Sequence, residues 1–159
     1  MQFYRGQFDE AEEAQRRAVA LNPNNPETLA QLGWRLAFAR DWNAGIDLVR
    51  QATRQSTTSP GWYYMILAFD SYRRGDYRAA LAQMDQAGEL QFFPGVALVA
   101  MCQAELGNDK EAHQALERAI AVDPTFARDP RAAYRLHHVP ESLIDQFVVG
   151  LRKAGLGEP

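Results

Sequence analysis

Gly61-Trp62-Tyr63-Tyr64-Met65-Ile66-Leu67-Ala68-Phe69-Asp70-Ser71-Tyr72-Arg73-Arg74-Gly75-Asp76-Tyr77-Arg78-Ala79-Ala80-Leu81-Ala82-Gln83-Met84-Asp85-Gln86-Ala87 reads as two helices folded back at a glycine. Gly75 supplies the backbone freedom that a helix end wants, and Asp76 is a side chain suited to cap the helix that follows. Ala80 and Ala87 are small, so a neighbouring helix backbone can come close there, while Tyr64, Leu67 and Met84 fill the gaps beside them.

Working outward, the same beat recurs. Ala18, Ala52, Ala87 and Ala119 stand 34, 35 and 32 residues apart, and Ala11, Gly45, Ala80 and Ala112 keep the same step. A period in the low thirties marks stacked helical hairpins, none of which can bury its apolar face alone. Cap residues agree with that division. Asn25-Pro26 with Glu27 predicts one helix start; Asp41, Asp76 and Asn108 predict the starts of second helices, with Asn108 and Glu111 at the spacing of a capping box. Pro23 and Pro124 close two units. Gly45 departs from alanine inside a helix and is read as a close-contact point beside Trp42. Arg40 stands where the other units carry Gly6, Gly75 and Gly107 at the turn, and the polar stretch Gln55–Pro60 is a longer loop.

These positions resemble the tetratricopeptide repeat (TPR). Gly6, Phe8, Ala11, Ala18 and Leu21-Asn22-Pro23 are similar to the second half of one repeat. Leu29, Leu32-Gly33, Leu36, Gly45, Val49 and Ala52 mark a full repeat over 26–59. Tyr64, Leu67-Ala68, Gly75, Tyr77, Ala80, Met84 and Ala87 mark another over 61–94, and Val96, Val99-Ala100, Gly107, Ala112, Leu116, Ala119 and Asp123-Pro124 a last one over 93–126. The resemblance implies an all-α, right-handed superhelical solenoid of about three and a half hairpins. The array would occupy 1–126, with a half repeat at 1–25, and residues 127–159 would form capping helices and a tail.

The resemblance also implies a concave groove lined by the first helix of each hairpin. Carried across residue by residue, its lining is Glu27, Ala30, Trp34, Ala37 and Phe38; then Trp62, Met65, Phe69, Tyr72 and Arg73; then Pro94, Ala97, Met101, Ala104 and Glu105. This lining is aromatic and apolar, with Arg73 and Glu105 charged, and aromatic and methionine side chains are the usual anchors of interfaces. An apolar peptide or amphipathic helix suits it. Ala30 and Trp34 replace the lysine and asparagine that clamp acidic C-terminal peptides in some TPR domains. Trp34, Phe38 and Trp62 have a second reading, as core between hairpins.

Both ends differ from the pattern. The first repeat lacks most of its first helix, so Phe8, Val19 and Leu21 would lose half their cover; the expectation is a fragment of a longer protein, with self-association through this open face as a consequence. Beyond Phe126, Asp129-Pro130 begins a short helix through Leu136, and Val139-Pro140-Glu141 begins another. The latter carries Leu143, Ile144, Phe147, Val148 and Leu151 on one face. It reads as a cap on the last repeat, or else as a detachable helix that docks into the groove or onto a partner. Gly150-Leu151-Arg152-Lys153-Ala154-Gly155-Leu156 is similar to tails of TPR regions in bacterial class III nucleotide cyclases and related regulators. That likeness implies a regulatory module within a larger bacterial signalling protein, a cyclase or transcription factor; with the open first-repeat face it makes the alternative an oligomerisation or regulatory module.

Chemistry is poorly signalled. The chain has 159 residues, a formal net charge of -3 and scattered Lys and Arg, with no basic stripe of the kind phosphate backbones favour. Nucleic acid is not an expected partner. No apolar stretch approaches the about 20 residues of a membrane helix, and the start lacks a signal-peptide core, so the cytoplasm is the expected location. Cys102 is the single cysteine and falls in an apolar run, where it packs as a small hydrophobe. His113 and the adjacent His137-His138 do not make the converging set a metal needs. Arg74-Gly75-Asp76 is the repeat's own turn. No enzyme, metal or cofactor is expected; the partner is a protein or peptide.

Overall fold

A computed structural model describes residues 2–89 and 92–157, with side chains from Glu10 onward. Among the described residues there are nine helices and no strand. The chain divides into two compact units, Met1–Ser59 and Pro60–Pro159. The fold class is an all-α helical repeat.

Unit 1 holds α1 (Gln2–Leu21), α2 (Pro26–Ala39) and α3 (Trp42–Gln55). Asn25 Oδ1 accepts from the Thr28 amide at 3.2 Å and Pro26 takes the first turn, where its missing N–H costs nothing. Asp41 caps α3 in the same way, accepting from the Ala44 amide at 3.0 Å. Arg40 holds the turn without a left-handed backbone (φ -140°): both its own amide and that of Asp41 donate to the Leu36 carbonyl, at 2.9 and 2.8 Å. Leu29, Leu32, Leu36, Ile46, Val49 and Ala52 form the buried seam of the α2–α3 hairpin. Gly33 and Gly45 face each other across it. A Cβ on Gly33 would lie 2.7 Å from the Gly45 carbonyl oxygen, and one on Gly45 would lie 2.7 Å from Ala37 Cα. The close contact at Gly45 is therefore with the α2 backbone, while Trp42 packs edge-on against Phe38, centroids 5.1 Å apart.

The first helix corrects the sequence reading at its start. α1 runs unbroken from Gln2 to Leu21, so Gly6 sits in a helix interior and makes no turn. The expectation for Phe8 lies outside the described side chains. Ala18 is exposed although its counterparts Ala52, Ala87 and Ala119 are buried, Val19 is half-buried, and Leu21 is 88% exposed. Glu12 ties α1 to the end of α2, accepting from Arg16 Nε at 2.9 Å and Arg40 Nε at 2.7 Å. Burial pushes its carboxyl up, but the two guanidinium groups prevail and hold it below the usual range.

Unit 2 holds α4 (Gly61–Arg73), α5 (Tyr77–Ala87), α6 (Phe93–Glu105), α7 (Asp109–Val122), α8 (Pro130–Leu136) and α9 (Glu141–Lys153). Helices α4 with α5 and α6 with α7 form hairpins, and α5 and α6 pack on one another. Gly75 and Gly107 take φ of 79° and 77°, the left-handed turn a side chain resists. The following amides then reach back five residues, Asp76 to the Ser71 carbonyl and Asn108 to that of Gln103, each at 2.9 Å. The capping box at Asn108 does not form. Its side-chain amide donates to Gln103 Oε1 at 2.7 Å, leaving α7 without a side-chain cap. Ala80, Ala87, Ala112 and Ala119 are buried as small contact points.

The C-terminal helices complete this core. Asp129 caps α8 by accepting from the Ala132 amide at 2.9 Å. Helix α9 lies on α6 and α8, burying Leu143, Ile144, Phe147, Val148 and Leu151. Full burial of such side chains contributes about 1.5–3 kcal/mol each. No described helix is long and apolar enough to cross a membrane.

Candidate functional site

In unit 2, α4 and α6 bring together four of the side chains expected to line a groove. Phe69 and Tyr72 project from α4; Met101 and Glu105 project from α6. Against them lies α9. The Phe147 ring sits 5.5 Å from Phe69, 5.7 Å from Tyr72 and 4.9 Å from Tyr134, centroid to centroid, in tilted and edge-on geometries that aromatic quadrupoles favour. Phe147 and Met101 are fully buried, and Phe69 and Tyr72 nearly so. One turn further along α9, Gly150 rests on Met101, where a Cβ would come within 3.0 Å of both Met101 Cβ and Cγ, and would also meet the Tyr72 hydroxyl. One turn beyond that, Lys153 Nζ donates to Glu105 Oε2 at 2.7 Å.

The remaining expected residues go elsewhere. Met65 is buried within unit 2. Trp62 is half-buried and meets the Tyr63 ring edge-on at 4.5 Å. Arg73 turns to the buried carboxylate of Asp70, 3.2 Å away, which Arg74 also contacts at 3.1 Å. In unit 1, Trp34 and Phe38 form their own aromatic pair with centroids 6.2 Å apart; Phe38 is buried and Trp34 half-buried. Phe147, Gly150 and Lys153 are the residues sequence reasoning left out of the site. Their spacing of three along one helix face is a signal for a shared surface, but nothing local says which surface.

Beside α9 an open cavity of about 520 Å³ remains, lined by Tyr72, Arg73, Tyr77, Glu105, Asp145 and Val149 among others. A second, of about 590 Å³, opens between α5, α6 and α7 over Met84, Val96, Val99 and Val122. Burial, and then the Glu105 charge, raise the Tyr72 hydroxyl well above the usual tyrosine range. Cys102 is wholly buried and its thiol is pushed up to about 12 by that burial, with Glu105 adding to it, so it is a protonated core side chain at neutral pH. Among the described residues no three His, Cys, Asp or Glu side chains converge as a metal would require.

The turn between α8 and α9 carries the two adjacent histidines. His138 adopts φ 58°, uncommon for a residue with a side chain. His137 packs its ring against Phe92 and Phe93, centroids 5.0 and 5.6 Å away. Burial lowers its pKa, the neighbouring His138 lowers it further, and Asp123 opposes both. The folded state therefore resists the proton that the unfolded chain accepts near the ordinary histidine value of about 6.5. Stability is expected to fall as pH drops through that value, and His137→Gln is expected to remove this part of the loss. Urea midpoints of both chains at several pH values check it; parallel pH profiles would count against it.

Residues 3–25 match the tetratricopeptide repeat family. No curated protein matches the chain. Among solved structures, the crystal structure of MamA is 24% identical, with 95% of this chain and 88% of that one covered and a TM-score of 0.62. The MamA RS-1 ArsTM double mutant is 14% identical, with 96% and 87% covered and a TM-score of 0.62. The crystal structure of YrrB, described as a TPR protein with an unusual peptide-binding site, is 18% identical, with 94% and 77% covered and a TM-score of 0.60. At these identities the likeness is one of fold. The chain thus carries a tetratricopeptide repeat match in its first 25 residues and has the all-α helical-repeat fold of these solved structures.

Proposed function

We propose that the chain is a protein–protein interaction scaffold whose inner helix faces take an apolar peptide or an amphipathic helix. One observation carries the finer part of this reading: the α4–α6 face already holds an amphipathic helix, α9, with Phe147 seated among Phe69, Tyr72 and Tyr134. An aromatic anchor, a close backbone approach and a charged end are contacts by which one surface holds a helix, and they support this reading. Helical-repeat folds of this kind serve mainly as non-catalytic scaffolds, and the buried, protonated Cys102 offers no nucleophile. Of the alternative, the oligomerisation element rests on the open face of the first repeat and the regulatory module of a larger signalling protein on residues 150–156. Packing gives Gly150, Leu151 and Ala154 a role without it, since all three are buried.

Photo-crosslinking in the cells that make the protein tests the proposal. A benzoylphenylalanine at Trp34 or at Trp62, both half-buried, is expected to give a discrete crosslinked protein. The same group at exposed Glu117 is expected to give none. Equal labelling from all three positions, or none from Trp34 and Trp62, would overturn the groove.

A further inference from the structure

We infer that the open groove between α5, α6 and α7 is a docking surface for an amphipathic helix of a partner protein, one with basic residues along one flank of its apolar face and acidic residues along the other. This surface lies apart from the inner-face groove proposed above. Its floor is apolar. Val96 and Val99, three residues apart on α6, are half-buried, and Met84 closes the floor from α5. Ala121 and Val122 continue it on α7; both are exposed, Val122 by 37%. At about 590 Å³ the groove has the size of a ligand pocket. The α4–α6 face is sealed by α9, whereas this one stays open.

The charges on its walls select the helix that fits. Asp85 and Glu89 stand on the α5 side and Arg118 on the α7 side. All three are exposed, and among the described residues none of them enters an ion pair or a side-chain hydrogen bond. Helix α5 ends at Ala87 with no basic residue in its last turn, so the negative end of its dipole adds to the two carboxylates. One wall is therefore acidic and the other basic. A partner matched to both places lysine or arginine over Asp85 and Glu89 and a carboxylate over Arg118, and that asymmetry fixes the direction in which it lies. A helix is favoured over an extended strand because the walls are helices whose backbone groups are bonded within themselves. A strand laid there would bury amides without partners. Apolar side chains three and four residues apart on the partner then cover Val96, Val99 and Val122.

The probe is a fluorescein-labelled synthetic helix with leucines on one face, lysines on one flank and glutamates on the other, added to the full chain and followed by anisotropy. A second peptide carries glutamates on both flanks. The first is expected to bind the wild-type chain at least about tenfold more tightly than the second. Reversing the acidic wall with Asp85→Lys and Glu89→Lys together is expected to invert that order, and Val99→Asp to abolish binding of both peptides. A control chain with Glu10→Lys and Asp47→Lys, at exposed positions of unit 1, undergoes the same change in net charge and is expected to keep the wild-type order. Asp85 and Glu89 are exposed, so their reversal answers the question even where Val99→Asp fails to fold. Failure of the first peptide to bind the wild-type chain, an order unchanged by the reversal, or an order inverted equally by the control would overturn the inference. Crosslinks from Trp34 and Trp62 are read independently, so the inner-face reading can survive that failure.

Discussion

Phe147→Ala is expected to lower the stability of unit 2 by about 3–5 kcal/mol, the usual cost of removing a phenylalanine from a closed core. The ring has no exposed surface and touches three other rings, Phe69 and Tyr72 one turn apart on α4 and Tyr134 on α8. Collapse around the void is hindered because those rings are themselves held: Tyr134 by Phe93, at 5.6 Å, and Tyr72 by Tyr77, at 5.3 Å. The loss falls on the docking of α9, since Phe147 is its central anchor. Urea unfolding followed through Trp62, which lies in unit 2, measures the change. Faster amide exchange along 141–153 in the variant, with α6 and α7 less affected, would locate it. A loss under about 1 kcal/mol would mean that the pocket repacks and that α9 is held by its flanks.

How far the sequence revealed this arrangement depends on the range of the interaction. Caps were legible at Asn25, Asp41, Asp76 and Asp129, because a capping oxygen and its amide are three residues apart and little else intervenes. The buried face of α9 was legible too, since Leu143, Ile144, Phe147, Val148 and Leu151 repeat at helical spacing. What that face covers was not. Lys153 and Glu105 are separated by 48 positions, and an amphipathic pattern states that a face is buried without naming its cover. Asn108 shows the limit at short range: its side-chain amide donates to Gln103 Oε1, and its side-chain oxygen accepts no capping hydrogen bond from α7. Gly6 was misplaced for a related reason. A glycine permits a turn but does not compel one, and α1 continues through it.

The same distinction governs Gly45, where adding a methyl group is expected to do harm that helix propensity argues against. In an exposed helix position alanine is favoured over glycine by about 0.5–1 kcal/mol. At position 45 the new Cβ would stand 2.7 Å from Ala37 Cα and would also run into the Ala37 nitrogen and the Gly33 carbonyl oxygen. These are backbone atoms, which cannot swing aside as a side chain would, so α2 and α3 must separate along a seam that includes Leu36, Ile46 and Val49. Overpacking of this kind costs about 1–3 kcal/mol, leaving Gly45→Ala destabilised by about 1–2 kcal/mol despite the propensity gain. Ala44 is the neighbouring control. It is exposed, so Ala44→Gly is expected to lose only the propensity difference. Thermal and urea unfolding of the two variants, followed through Trp34 and Trp42 in unit 1, decide between the effects. A Gly45→Ala chain as stable as wild type would show that the two helices yield at their closest point, and that small residues at the repeating positions are not what sets the spacing of the hairpin.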